Sequence, residues 1–262
     1  MSPKFFRNLS TAFVTIIVAS GAQAKIVHKK IDYKEGSTAL EGVLVYDDAK
    51  AGKRPGVLIA HNWMGITDET ERKADMIAEL GYVAFAADLY GKDARPKNPD
   101  EAGKLSTVLK NDRKTLRARM KAGLKVLQEE KMVNTTKLAA IGYCFGGTSA
   151  IELARSGAPI AAVVSFHGGL DSPTPEDGKN IKAKILALHG ADDPFEKPED
   201  LLAFEKEMRD SKVDWQLIKY GGAVHSFTEK AAGTDNSKGA AYNERADRRS
   251  VNDMKDMFAE VF

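Results

Sequence analysis

Residues 138–147 have the sequence Leu-Ala-Ala-Ile-Gly-Tyr-Cys-Phe-Gly-Gly, and residues 146–155 have helical character. An apolar run, a glycine-rich turn and a helix in this order predict a strand that ends in a sharp turn carrying Cys144. Gly142 and Gly146 bracket Cys144 because a side chain at either position would clash with so tight a turn. Gly147 would let the following helix pack close to the sheet.

This turn predicts a nucleophilic cysteine. It would expose the Cys144 sulfur at a helix N-terminus, whose partial positive charge favours the thiolate. The alternative is a small, buried and inert cysteine beside a turn of structural use only. Cys144 is the single cysteine of the chain, so no intramolecular disulfide can form.

Apolar runs and helical patterns alternate over the rest of the chain, which predicts an α/β fold. We expect a mostly parallel sheet of about eight strands flanked by helices on both faces, with residues 26–33 and 40–46 as an antiparallel pair at one edge. Residues 55–60 and 83–87 are almost continuously apolar, as in strands buried on both faces. In such sheets, ligands bind where loops leave the carboxyl ends of the strands.

Two later loops supply partners for the cysteine. His225 follows the last predicted strand on a glycine-bearing loop and is the expected general base, and the alternative is a solvent-exposed loop histidine. Asp192 and Asp193 both follow the predicted strand at 184–189. We favour Asp193 as the acid that orients the imidazole, with Asp192 capping or solvating the loop. The order cysteine, aspartate, histidine along the chain is that of an α/β hydrolase.

An acyl-transfer site also needs hydrogen-bond donors for the developing oxyanion. The backbone N–H of Phe145, directly after the nucleophile, is the first expected donor. The backbone N–H of Trp63, in the loop after the third strand, is the second. We expect the Asn62 and Trp63 side chains to line the floor of the pocket, with simple loop packing as the alternative.

The first 24 residues have the design of a secretory signal peptide. A basic start, an uncharged apolar run at 9–20 and Ala-Gln-Ala at 22–24 predict cleavage after Ala24. A membrane anchor and a core helix are the alternatives, but the apolar run is short for crossing about 30 Å of hydrocarbon. We therefore expect a periplasmic or secreted protein, with no stable membrane anchor after cleavage and with one domain at 25–262.

The composition fits one globular domain and excludes several classes of protein. The 262 residues are 43% hydrophobic and 29% charged, unlike a disordered, collagenous or polytopic membrane protein. The net charge is +2, and without Lys4 and Arg7 of the predicted signal peptide 37 basic residues balance 37 acidic ones. This balance gives no indication of a nucleic-acid partner.

Three motifs follow one another along the chain: Gly142-Tyr143-Cys144-Phe145-Gly146-Gly147, Gly190-Ala191-Asp192-Asp193 and His225-Ser226-Phe227. Together with Asp88-Leu89-Tyr90 and the loop at 61–65, they resemble the dienelactone hydrolase family of α/β hydrolases. The resemblance implies a catalytic triad of Cys144, His225 and Asp193, with no metal and no organic cofactor. It also implies that a small-molecule ester or lactone is hydrolysed through a thioester acyl-enzyme.

The chain departs at several positions from family members that act on dienelactone. Asn62 stands where they carry a glutamate beside the resting thiol, and Glu229 stands where they carry an arginine that grips the substrate carboxylate. A carboxylate at Glu229 would repel an anionic lactone. His167 stands where they tend to have tyrosine and could bind polar groups of the substrate, with ordinary loop packing as the alternative. Ser226, next to the expected base, is a further candidate for substrate binding.

The leading hypothesis is an exported hydrolase of carboxylic esters or lactones. A thioesterase or peptidase-like acyl hydrolase on the same triad is the first alternative. A thiol-based redox or ligand-binding protein that retained the fold is the second. We expect a monomer or a small homo-oligomer. The basic tract at 100–130 could cover the pocket or meet a partner subunit, or be a solvated amphipathic helix interrupted near residues 111–112.

Overall fold

The computed structural model describes residue 1 and residues 25–262. The predicted signal peptide therefore falls, apart from its first residue, outside the described part of the chain. Within that part, the strands are β1 (Ile26–Glu35), β2 (Thr38–Asp47), β3 (Arg54–Ala60), β4 (Val83–Ala87), β5 (Val133–Tyr143), β6 (Ala162–Phe166), β7 (Lys184–Gly190) and β8 (Trp215–Tyr220). The α-helices are α1 (Asp68–Glu79), α2 (Pro99–Asn111), α3 (Arg113–Glu129), α4 (Phe145–Arg155), α5 (Pro198–Asp210) and α6 (Glu244–Val261).

These strands form one sheet in the order β1-β2-β4-β3-β5-β6-β7-β8. β2 pairs antiparallel with both β1 and β4, and all other neighbouring strands are parallel. The predicted mostly parallel sheet and its antiparallel edge pair are confirmed. In the sheet, β4 lies on one side of β3 and β5 lies on the other side, so the chain reverses its direction of winding after β4. This is a topological switch point, where the loops at the carboxyl ends of the strands leave a crevice.

The sheet buries both of its faces. On β3, Leu58 packs in a core that includes side chains of α2, α3, α4 and α5. Its neighbours Val57 and Ile59 pack in a second core, with side chains of α1 and α6. Burial on both faces explains why the central strands are apolar at consecutive positions. Among residues 25–262, the structure contains no helix long and apolar enough to cross a membrane.

The basic tract at 100–130 is two helices rather than one. Asp112 ends α2, and its side chain accepts a hydrogen bond from the Thr115 N–H at 3.0 Å, which caps α3. The predicted interruption near residues 111–112 is therefore confirmed. Ser106 and Lys110 of α2 line the cleft described below, so α2 covers one side of the candidate site.

The start of α6 differs from its sequence pattern, which predicts a helix from residue 240. The helix begins at Glu244 because the preceding residues hold the loop of His225 instead. The His225 N–H donates to the Gly239 carbonyl oxygen at 3.1 Å, and the Ala241 N–H donates to the His225 carbonyl oxygen at 3.0 Å. These bonds fix the backbone from which the imidazole extends.

Candidate active site

Cys144 occupies the turn between β5 and α4 with a strained backbone. Its φ of 54° lies in a region that residues with side chains rarely adopt. The predicted glycines allow the turn, because a Cβ on Gly142 would lie 1.9 Å from the Gly146 carbonyl oxygen and one on Gly146 would lie 2.2 Å from the Ala60 carbonyl oxygen. A Cβ on Gly147 would come within 2.8 Å of the backbone after β6. The helix therefore packs as closely as the sequence predicts.

Three side chains from three loops meet at the carboxyl edge of the sheet. The Nε2 atom of His225 lies 3.1 Å from the Sγ atom of Cys144, and its Nδ1 atom lies 2.8 Å from Oδ2 of Asp193. The other carboxylate oxygen of Asp193 accepts a backbone N–H at 2.9 Å, which fixes its orientation. Asp192 instead accepts the Gly222 N–H at 3.1 Å. This geometry suits a nucleophile, a base and an orienting acid.

His225 is poised as an imidazolium. Burial opposes its protonation, but the hydrogen bonds and charges of Asp193 and Cys144 outweigh burial and raise the pKa of His225 to about 10. The protonated ring is therefore the favoured form at neutral pH, between a carboxylate on one side and the sulfur on the other. In this arrangement the sulfur can attack a carbonyl carbon, and the imidazolium beside it can then protonate the leaving group without a rearrangement of the site.

The two residues expected to supply the oxyanion donors belong to the lining of one cleft. Phe145 is the first residue of α4, and both Phe145 and Trp63 line the same cleft as Cys144. The Tyr90 hydroxyl donates to the Trp63 carbonyl oxygen at 2.8 Å, which braces the loop after β3. The use of these two N–H groups in catalysis stays a prediction.

A cleft of about 480 Å³ opens on the sulfur. Besides Cys144, His225, Asp193, Phe145 and Trp63, it is lined by Ser106, Lys110, Thr148, Gly168, Gly169, Asp171, Phe195, Glu196 and Asp200. Trp63 and Phe195 are large hydrophobic side chains that remain 38% and 63% exposed. Exposed aromatic rings at the mouth of a cleft offer apolar contact area to a ligand.

Three carboxylates of the cleft were not predicted from the sequence: Asp171, Glu196 and Asp200. We call these three residues the acidic wall. Glu196 Oε1 accepts the Leu170 N–H at 2.8 Å, and burial raises the pKa of Glu196 to about 7. Asp171 is paired with Arg113 at 2.6 Å. Residues 171 and 196 follow β6 and β7, at the carboxyl edge where ligands bind. That position is the signal that could have identified them.

The cleft lining contains none of the four expected substrate-binding residues, which are Asn62, His167, Ser226 and Glu229. Asn62 and Glu229 instead line a small separate cavity, where Asn62 Nδ2 lies 3.4 Å from Glu229 Oε2. The backbone turns inward at Ser226, with a φ of 56°, and buries residues 227–229. His167 is fully buried. The expectation that Glu229 repels an anionic substrate is therefore corrected, because this carboxyl group does not face the cleft.

A doubly covered, mostly parallel sheet with a cysteine, a histidine and an aspartate at its carboxyl edge defines the class of protein as an α/β hydrolase. The family model described as "Dienelactone hydrolase family" matches residues 40–262. The chain therefore belongs to the dienelactone hydrolase family, and it is a hydrolase of ester or lactone bonds.

Relatives and solved structures agree with this membership. Protein usf of Aquifex pyrophilus is 34% identical over 179 residues, which are 66% of this chain and 76% of that protein. A protein of Aquifex aeolicus, provisionally named carboxymethylenebutenolidase, is 30% identical over 178 residues, with the same two shares of 66% and 76%. The crystal structure of P91, a dienelactone hydrolase-like promiscuous phosphotriesterase from metagenomic libraries, is 40% identical. Its TM-score is 0.86, and the match covers 90% of this chain and 99% of P91.

Proposed function

We propose that the protein hydrolyses small carboxylic esters or lactones with Cys144 as the nucleophile, through a thioester acyl-enzyme. The observation that carries this proposal is the continuous hydrogen-bonded chain from Cys144 Sγ to His225 at 3.1 Å and from His225 to Asp193 at 2.8 Å. A redox thiol or a ligand-binding protein has no need of an oriented general base.

In the proposed mechanism, the Cys144 thiolate attacks the carbonyl carbon, and the N–H groups of Phe145 and Trp63 stabilise the tetrahedral oxyanion. The intermediate collapses as the C–O bond to the leaving group breaks, and the His225 imidazolium donates its proton to the departing oxygen. The neutral imidazole then takes a proton from water, which attacks the thioester. Collapse of the second intermediate releases the acid and restores the thiolate and imidazolium. Asp193 orients the ring throughout.

The acidic wall defines the charge of the substrate in this proposal. Glu196 and Asp200 bring negative charge to the same cleft that exposes the sulfur. Among the described residues, Lys110 is the one lysine or arginine in this lining, so the carboxylates outnumber it even though Asp171 is paired with Arg113. An anionic lactone such as dienelactone would meet repulsion there, so neutral and cationic esters are the better substrates.

This charge preference predicts a pH-dependent selectivity. Glu196 loses its proton as pH rises through about 7, so its attraction for a cation grows from pH 6 to pH 8. The ratio of kcat/KM for acetylcholine to that for its uncharged isostere 3,3-dimethylbutyl acetate should rise about threefold over this range. Taking the ratio on one enzyme cancels the pH dependence of the triad. Dienelactone should be hydrolysed more slowly than a neutral lactone.

Two glutamine variants test the role of Glu196: Glu196→Gln is the test variant and Glu199→Gln is its matched control. Glu196→Gln should abolish the pH dependence of the ratio. Glu199→Gln removes an exposed carboxylate of α5 that does not line the cleft, and it should leave the dependence intact. A ratio that is constant in the native protein, or that rises equally in Glu196→Gln, contradicts the role of Glu196. Turnover of none of these esters and lactones contradicts the proposed function.

A second candidate substrate class is the neutral phosphotriester. The likeness to P91, at 40% identity over 90% of this chain, favours it, and an uncharged triester is compatible with the acidic wall. Release of para-nitrophenol from a dialkyl para-nitrophenyl phosphate, measured beside the ester panel, tests this activity. Rates no higher than in buffer would exclude it.

We also propose that the protein is exported and cleaved after Ala24, on the strength of the basic, apolar and Ala-Gln-Ala segments in the first 24 residues. Amino-terminal sequencing of protein from the periplasmic fraction should then begin at Lys25. Recovery of protein there with an intact Met1 would contradict cleavage.

A further inference from the structure

The Cys144 turn needs support that the glycines alone do not provide. A non-glycine residue at a φ of 54° persists only when its surroundings hold it there. The Cys144 N–H is held by two acceptors at the end of β6, the Phe166 carbonyl oxygen at 3.0 Å and the His167 Nδ1 atom at 3.1 Å. The side chain that directly follows β6 therefore accepts a hydrogen bond from the backbone of Cys144 itself.

His167 is fixed in one neutral tautomer. Its Nδ1 accepts the Cys144 N–H, so the proton resides on Nε2, which lies 2.8 Å from Oγ1 of Thr228. The ring is fully buried, and burial together with the nearby His225 lowers the pKa of His167 well below its ordinary value. Its own backbone N–H donates to the Leu188 carbonyl oxygen at 2.8 Å, at a φ of 40°. Neither nitrogen is left to bind a ligand.

The same ring also contacts the base. The His167 and His225 rings meet edge to face, with centroids 5.3 Å apart and an interplanar angle of 67°. The Phe227 ring packs against His167 at 5.0 Å. The Lys73 ammonium donates to the Thr228 carbonyl oxygen at 3.1 Å. This bond holds the residue whose hydroxyl contacts Nε2 of His167. One buried imidazole thus contacts the backbone of the nucleophile and the ring of the base.

We propose that His167 is a positioning residue, which holds the Cys144 backbone through Nδ1 and the His225 ring through packing, and so sets the distance between sulfur and imidazole. The inference rests on the proposed function of the Cys144, His225 and Asp193 triad. His167 does not line the cleft, so its loss should lower kcat and leave KM almost unchanged.

Two amide variants separate this role from simple packing. In His167→Asn, the amide oxygen can take the place of Nδ1 and accept the Cys144 N–H. In His167→Gln, the amide reaches the place of Nε2 and Thr228 but leaves that N–H without its side-chain acceptor. His167→Phe keeps a ring and removes both bonds.

The experiment measures kcat and KM for para-nitrophenyl acetate and the rate of Cys144 alkylation by iodoacetamide, for the native protein and the three variants. His167→Gln and His167→Phe should lose about 10- to 100-fold in kcat with KM within about twofold. Alkylation should slow by about tenfold in the same two variants, because the sulfur is no longer held against the imidazolium. His167→Asn should recover most of both rates.

Equal losses in the asparagine and glutamine variants, or a loss confined to KM, would overturn the proposal, as would full activity in His167→Phe. Thermal unfolding of each variant is recorded. If His167→Phe does not fold, the comparison of His167→Asn with His167→Gln tests the proposal by itself. Alkylation does not require turnover. A protein that hydrolyses nothing but shows this alkylation pattern would contradict the proposed function while supporting the positioning role of His167.

Discussion

Replacement of Cys144 by alanine should abolish ester hydrolysis, with a loss of at least about 10³-fold in kcat/KM. The expected reason is that the thiolate that attacks the carbonyl carbon is lost, while the Ser106 and Thr148 hydroxyls of the cleft donate to backbone carbonyl oxygens and not to a base. His225 and Asp193 would remain hydrogen-bonded to each other at the carboxyl edge, so the fold should persist. Steady-state release of para-nitrophenol from a short-chain ester measures the effect.

Cys144→Ser is the matched variant for this test. A serine keeps the turn and a hydroxyl, but a neutral hydroxyl does not form the ion pair with the imidazolium, so only a small residual rate is expected. Native turnover that survives in Cys144→Ala would contradict the nucleophile assignment. Peroxide consumption by the native protein, without hydrolysis of any ester, would favour the redox alternative.

Asp193→Asn should lower kcat by about 10²- to 10⁴-fold, whereas Asp192→Asn should stay within about twofold of the native rate. An asparagine beside Nδ1 can present its N–H₂ group to the imidazole and favour the wrong tautomer. Asp192 contacts the Gly222 N–H and not the imidazole, which makes it an adjacent control of the same chemistry. A larger loss in Asp192→Asn than in Asp193→Asn would contradict the acid assignment.

The Asp193→Asn variant should also change how activity depends on pH, and the direction of this change follows from the charge on His225. The hydrogen bonds to Asp193 and Cys144 raise the pKa of His225 to about 10, so the imidazolium is present below that pH and is lost as pH rises through it. Removal of the Asp193 charge lowers this pKa. The basic limb of the profile of kcat/KM against pH should therefore move to lower pH in Asp193→Asn.

Much of the fold and the meeting of the Cys144, His225 and Asp193 side chains could be predicted from the sequence. The glycines around Cys144 have one physical use, since a Cβ on Gly142 or Gly146 would overlap backbone. Cys144, Asp193 and His225 each follow a predicted parallel strand, which predicts that all three lie at the same carboxyl edge of the sheet. Such local rules depend on a few residues and not on the packing of the whole domain.

The walls of the cleft could not be predicted in the same way. Glu196 faces the cleft because its carboxylate binds the Leu170 N–H of a different loop. Glu229 turns away from the cleft because Ser226 adopts a φ of 56°, which the sequence does not reveal. His167 could not be distinguished as buried, because a polar ring after a strand fits a ligand site and a packed interior equally well. Each of these positions depends on contacts between loops.

The central claim is that the acyl group passes through a thioester on Cys144, and trapping the acyl-enzyme tests it most directly. The native protein is mixed with para-nitrophenyl acetate and quenched with acid during turnover, and the peptide that contains Cys144 is analysed by mass spectrometry. The account predicts an acetyl group on Cys144 that neutral hydroxylamine removes. Rapid turnover with an unmodified Cys144 peptide, or with the acetyl group on another residue, would contradict it.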